Sequence, residues 1–167
     1  SLEQLEGQSF EGEYSSVTDK MGSDKENPVS HVAYGYATHV VVLDDDNTVK
    51  TVYAAHDVGR AVNPTAVEGQ IEGGVTMSLG YAFTEDYPLR DGKPIAKFGT
   101  LGLFRSDKTP DIVPIIIEKS HSELANGAKG IGEISSIPTA PAAALAYENR
   151  DGIKRNSLPL KGTPYKK

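Results

Sequence analysis

The hydrophobic positions of this chain switch between two periods, and the switches mark its elements. Residues 31 to 43 and Val49 to Val58 are rich in Val, Tyr, Ala and Thr, side chains that suit strands. Asp44-Asp45-Asp46-Asn47 separates them. Two strand-like runs split by a short Asp/Asn cluster predict a β-hairpin. A helix is expected to open at Asn63-Pro64, because Asn caps well and Pro is favoured at the first helical position. Val67, Ile71, Val75 and Leu79 then recur every four residues and make one apolar stripe. Gly69, Gly73, Gly74 and Gly80 interrupt that helix, each costing about 1 kcal/mol relative to Ala. Such a helix implies a close approach to its backbone, either tight packing on a sheet or a buried ligand.

Residues 86 to 110 read as a long irregular loop. Ile112 to Glu118 is apolar and β-branched, hence a strand. Ser120 to Gly132 is polar and glycine-rich. Ser135 to Tyr147 is Ala-rich and reads as a buried helix starting near Ser136 or Pro138. Gly152 to Lys167 suggests a short strand and a Pro/Lys tail. At the other end, residues 1–30 form a polar N-terminal segment, with a short strand expected at Ser9 to Tyr14 and an exposed loop at Met21 to Pro28. Interspersed strands and helices favour an α+β domain over residues 31–167, a mixed sheet with packed helices.

Composition narrows the classes. The chain has 167 residues and a net charge of -6, which suits one domain and disfavours a nucleic-acid partner. There is no cysteine, which excludes disulfides, thiolate zinc sites and iron–sulfur clusters within the chain. No apolar run approaches the roughly 20 residues of a membrane span. The N-terminus carries no basic and apolar leader, so a cytoplasmic setting is expected. The first residue is Ser1, which fits processing or a piece of a longer protein. Asp44 to Asp46 lack the ligand spacing, central Gly and distal Glu of an EF-hand loop and read as a solvated turn.

Chemistry concentrates in Gly127-Ala128-Lys129-Gly130-Ile131-Gly132-Glu133. Its glycines let a ligand approach the backbone, and its amides can bind anionic or hydrogen-bonding groups. No Lys-Ser/Thr follows, so it is no Walker A loop. The glycine spacing also differs from the dinucleotide fingerprint. A structural turn before a helix is the alternative. Glu133 could serve as a general base in a pocket, or be a solvated charge near a helix start. Gln70 offers amide donors and an acceptor to a heterocycle edge, or is an exposed polar residue. His31, His39, His56 and His121 show no zinc-protease spacing and receive no catalytic role. His56-Asp57 reads as a strand end.

Five segments in order, Tyr34 to Val58, Asp57 to Pro64, Glu68 to Gly74, Gly80 to Glu85 and Gly127 to Glu133, resemble the molybdenum hydroxylases, the xanthine dehydrogenase and aldehyde oxidase family. Tyr34 to Thr38 and Gly152 to Pro159 look most similar to selenium-dependent xanthine dehydrogenases. The resemblance implies the C-terminal part of a molybdopterin-binding region. It implies a molybdenum–molybdopterin cofactor, with or without an appended nucleotide. Gln70 would contact that cofactor, backbone groups of Lys129, Gly130, Ile131 and Gly132 would wrap it, and Glu133 would be the catalytic base. No residue here would ligate the metal itself.

The implied activity is hydroxylation of a purine such as xanthine or hypoxanthine with water-derived oxygen. The implied partners are the N-terminal half of the molybdenum-binding region, flavin and two-iron two-sulfur domains or subunits, and an oligomeric assembly. The isolated chain is expected to be inactive. The rival expectation is a non-catalytic binding or assembly module that keeps the fold.

Overall fold

The computed structural model describes residues 2–31, 33–97, 99–119 and 124–165. The chain divides into two units, Ser1–Tyr34 and Gly35–Lys167. The first is a short 3-10 turn at Leu2–Leu5 followed by irregular chain. Asp19 ties part of it together: its carboxylate accepts from the Val29 amide and pairs with Lys25. Residues 9–14 form no strand; with no neighbouring ladder to join, alternation alone does not hold one.

The second unit is an α+β layer pair. Strands β1 (Tyr36–Leu43) and β2 (Val49–Asp57) form the antiparallel hairpin across Asp44 to Thr48. Asn47 takes a left-handed φ of 66° in that turn, a conformation Asn tolerates better than most residues. Helix α1 (Pro64–Phe83) follows, and the Asn63 side chain accepts from the Ala66 amide at 3.1 Å. The irregular stretch after α1 contains a two-residue hairpin, β3 (Leu89–Arg90) with β4 (Lys93–Pro94). Strand β5 (Asp111–Ile117) pairs in parallel with β2, giving a mixed sheet of order β1-β2-β5. Helix α2 (Thr139–Asp151) comes last and ends on Gly152 at φ 73°. No strand forms in residues 152–165. His121 lies outside the described residues.

Both helices cover one face of the sheet, with α2 against β1 and α1 against β2 and β5. Val41, Val52 and Ala54 from the sheet meet Ile71, Val75, Leu79 and Phe83 of α1 and Ala143 and Tyr147 of α2 in the core. The predicted stripe of α1 is therefore its buried face. The other sheet face leaves Val40, Val42, Tyr53, Val113, Ile115 and Ile117 exposed.

The glycines of α1 divide into two kinds. A Cβ on Gly74 would overlap the Ser135 side chain and come within 2.8 Å of its backbone carbon, whereas one on Gly69 or Gly73 would meet nothing within 4 Å. Close packing thus explains Gly74, by contact with the chain just before α2.

Two histidines sit inside the core. His39 and His56 are 8% and 0% exposed. Their Nε2 atoms lie 2.7 Å apart, and His39 Nδ1 lies 2.8 Å from Thr139 Oγ1 on α2. One Nε2 must donate and the other accept, so the two rings cannot both be charged. Burial, then repulsion from His56, depresses the His39 pKa to about 4, and burial lowers that of His56. Unfolded histidines titrate near 6.5, so the unfolded chain binds more protons below that pH. Their contribution is complete above pH ~6.5 and is lost as pH falls towards ~4. A loss on the order of 2 kcal/mol is expected over that window. Denaturant unfolding at a series of pH values measures it; a flat profile would show that the folded pair takes up protons as readily as the unfolded chain.

Candidate functional site

The candidate residues gather where β2 ends. Gly59, two residues beyond Asp57, forms an isolated antiparallel bridge with Ala128. The Arg60 amide donates to the Gly127 carbonyl at 2.9 Å, and the Lys129 amide donates to the Val58 carbonyl at 3.0 Å. Gly59 holds φ 64°, and a Cβ there would overlap the Gly127 carbonyl. Ala125, Asn126 and Gly127 take φ of 51°, 52° and 81° in succession. A left-handed Ala costs about 1–2 kcal/mol, so the surrounding contacts hold this turn against its local preference.

The Lys129 side chain turns inward rather than towards solvent. Its Nζ lies 2.6 Å from Asp57 Oδ2, with the two side chains 8% and 14% exposed. The ammonium also sits 5.6 Å from the Tyr36 ring centroid. Asp57 Oδ1 accepts from the Gly59 amide at 3.1 Å. Burial alone would raise the Asp57 pKa; the Lys129 and Gly59 hydrogen bonds outweigh it, and the net shift is downward. Asp57 is thus an ionised anchor as well as a strand end.

Gln70, Lys129 and Ile131 line one small pocket of about 230 Å³, together with Arg60 and Asn63. Gly130 and Gly132 lie outside it, exposed and facing open space. Glu133 is also outside the pocket and exposed. Its carbonyl accepts from the Ser136 amide at 3.0 Å and from Ser136 Oγ at 2.8 Å, starting the 3-10 turn Ile134–Ser136. Its carboxylate makes no cap hydrogen bond to that turn. Ser135 within the turn is buried against Gly74 of α1.

The Lys129 amide, expected to face a ligand, is taken by Val58. Among the described residues, the amides of Gly130, Ile131 and Gly132 donate to no protein acceptor. Free amides on an open glycine loop, beside the Gln70 amide and the Arg60 backbone, suit a polar heterocycle with anionic substituents. The residues present therefore fit a pterin-type group. Asn63, legible in sequence as a helix cap, and Arg60, inconspicuous there, come to lie beside Gln70 through the turn between β2 and α1.

A larger groove of about 820 Å³ lies between α1, α2 and the C-terminal chain, lined by Met77, Tyr81, Ile137, Pro141 and Leu158 among others. It contains none of the candidate residues, so volume and chemistry point to different places. Gln70, Lys129 and Ile131 favour the smaller pocket.

Comparison with known proteins defines the class. Residues 3–110 match the family described as molybdopterin cofactor-binding domain, and the chain belongs to that family. Gln70 falls within the matched residues, and the 127–133 loop lies beyond them. A probable xanthine dehydrogenase subunit of Bacillus subtilis is 32% identical over 78% of this chain, which covers 18% of that protein. The nicotine 6-hydroxylase large subunit of Paenarthrobacter nicotinovorans is 37% identical over 60% of this chain and 12% of its own length. Among solved structures, quinoline 2-oxidoreductase from Pseudomonas putida 86 superposes with a TM-score of 0.62 at 26% identity, covering 71% of this chain and 16% of that one. The chain thus spans less than a fifth of the length of these relatives. Among the described residues, no helix is long and apolar enough to cross a membrane, and no group of three metal-ligating side chains forms.

Proposed function

We propose that this chain forms one wall of the cofactor site of a molybdenum hydroxylase acting on a purine, with Glu133 as its base. The observation that carries the reading is the convergence of Gln70, Lys129 and Ile131 on one pocket, next to the free amides of Gly130 to Gly132 and the unengaged carboxylate of Glu133. Gln70 would hydrogen-bond the pterin edge. Gly130, Ile131 and Gly132 would supply backbone donors, and Lys129 would hold their loop in place. When bound, the molybdenum–pterin group supplies the two-electron redox chemistry and the site for water-derived oxygen. Glu133 would accept the proton that activates that oxygen, which requires its ionised form.

Exposure of Glu133 in this chain fits a site whose other wall is an N-terminal half of the molybdenum-binding region. Flavin and two-iron two-sulfur domains or subunits would carry electrons away, in an assembly of several subunits. A xanthine-type purine is favoured because the relative covering most of this chain among those named carries that substrate in its name; nicotine and quinoline, in the other two names, are also nitrogen heterocycles. The Tyr34 to Thr38 and Gly152 to Pro159 segments support a selenido terminal ligand, which selenium analysis of the purified protein would test.

The experiment is a substrate series on the intact, molybdenum-loaded protein in isotopically labelled water. Xanthine and hypoxanthine should be hydroxylated with solvent oxygen, at least roughly tenfold more efficiently than nicotine, quinoline or an aldehyde. Preference for another heterocycle would correct the substrate. Absence of all turnover at full molybdenum content would favour a binding or assembly module.

A further inference from the structure

We propose that the buried Asp57–Lys129 ion pair is a positioning device for Glu133, clamping the 127–133 loop to the end of β2 so that the carboxylate is held in one place. The inference rests on the reading of Glu133 as the base.

The loop needs such a device. Between Lys129 and Glu133 stand Gly130, Ile131 and Gly132. Cβ atoms on the two glycines would touch nothing, so side-chain packing does not restrain them, and glycine backbone is the most permissive there is. Glu133 itself makes no side-chain cap hydrogen bond. Its placement must therefore come from fixed points on either side. On the far side, Ser135 packs against Gly74. On the near side, the Lys129 amide is tied to Val58, and its side chain to Asp57 under the Tyr36 ring. Ile131 adds a partly buried contact with the core between them.

A buried ion pair is weak evidence for stability, because desolvation offsets much of the attraction. What this pair does supply is geometry. It joins two points 72 residues apart in sequence, at the place where the chain leaves three left-handed residues. Lys129 is therefore a residue that acts through the loop, with its charge buried against Asp57.

The test uses the intact, molybdenum-loaded protein with Lys129→Met, which keeps the aliphatic stem. Amide exchange of residues 125–133 should accelerate by roughly tenfold or more, with the rest of the domain unchanged. Turnover should fall by roughly 10- to 100-fold in kcat at equal molybdenum content, with KM little altered. Lys129→Arg should recover part of the loss. In a Glu133→Gln background, Lys129→Met should add little further loss, because both changes act on one carboxylate.

If Lys129→Met misfolds through the stranded Asp57 charge, the paired Asp57→Leu/Lys129→Met variant removes both charges and takes the same measurements. Unchanged loop exchange would overturn the clamp. Faster exchange with independent, multiplying losses would overturn its action through Glu133. A Glu133→Gln enzyme as active as the parent would overturn the reading beneath the proposal, which the exchange data alone would not.

Discussion

Glu133→Gln in the intact, molybdenum-loaded protein is expected to lower the proposed purine hydroxylation about a thousandfold, within the range spanned by general-base catalysis. Gln keeps the length and planarity of the side chain and removes only its ability to take a proton. The fold gives this substitution little else to disturb. Glu133 is exposed, and its carboxylate makes no cap hydrogen bond. The contacts that start the Ile134–Ser136 turn belong to its backbone carbonyl, which the change leaves in place. Stability should therefore stay within about 0.5 kcal/mol of the parent, as for ordinary surface substitutions. Equal molybdenum content, an unchanged melting curve and collapsed turnover form the expected combination. Near-parent turnover would return Glu133 to the class of solvated surface charges.

Gly59→Ala should produce the opposite combination, a large loss of folding with no chemical group removed. Residue 59 sits at φ 64°, and the new methyl would overlap the Gly127 carbonyl. The left-handed conformation costs Ala about 1–2 kcal/mol. Relieving the overlap would pull the loop from β2 and break the Arg60–Gly127 and Lys129–Val58 hydrogen bonds, each worth about 1 kcal/mol. A total of about 3–4 kcal/mol follows, a large share of a domain's usual 5–15 kcal/mol. Gly69→Ala is the control. Nothing lies within 4 Å of its added methyl, so within this chain the helix should gain up to about 1 kcal/mol. Denaturant unfolding of the two variants compares them directly; a Gly59→Ala protein as stable as its parent would mean that the bridge to Ala128 is dispensable.

The sequence carried the local elements well because their signals are local. An Asp/Asn cluster between two β-branched runs encodes the β1–β2 hairpin, and Asn63-Pro64 encodes the start of α1. Of the two expected starts of α2 the structure takes the later, with Pro138 at the capping position and Thr139 first in the helix, because Ile134–Ser136 winds into its own 3-10 turn. Pairing was less legible. Nothing in Ile112 to Ile117 announces a parallel match with β2, because register is settled by a core that both strands help to build. The site divides in the same way. Motif order grouped Gln70 with the Lys129 to Gly132 loop. The engagement of the Lys129 amide and side chain by Val58 and Asp57 depends on a contact across 72 residues, for which adjacent sequence holds no signal. Glycines likewise look alike in sequence, yet Gly74 is packed and Gly69 is open.

The parallel β2–β5 pairing also sets a timetable. During synthesis β1 and β2 can meet as soon as both have emerged, since only a short turn joins them. β5 arrives after α1 and the long irregular stretch, and long-range pairings are the slow ones. The Val58–Lys129 tie comes later still. A nascent chain halted before Asp111 would hold a hairpin and a helix with no third strand, and a halt before Gly127 would leave the end of β2 without its loop. The pocket lined by Gln70, Lys129 and Ile131 is thus among the last parts of this domain to form on the ribosome, only after nearly the whole segment has emerged.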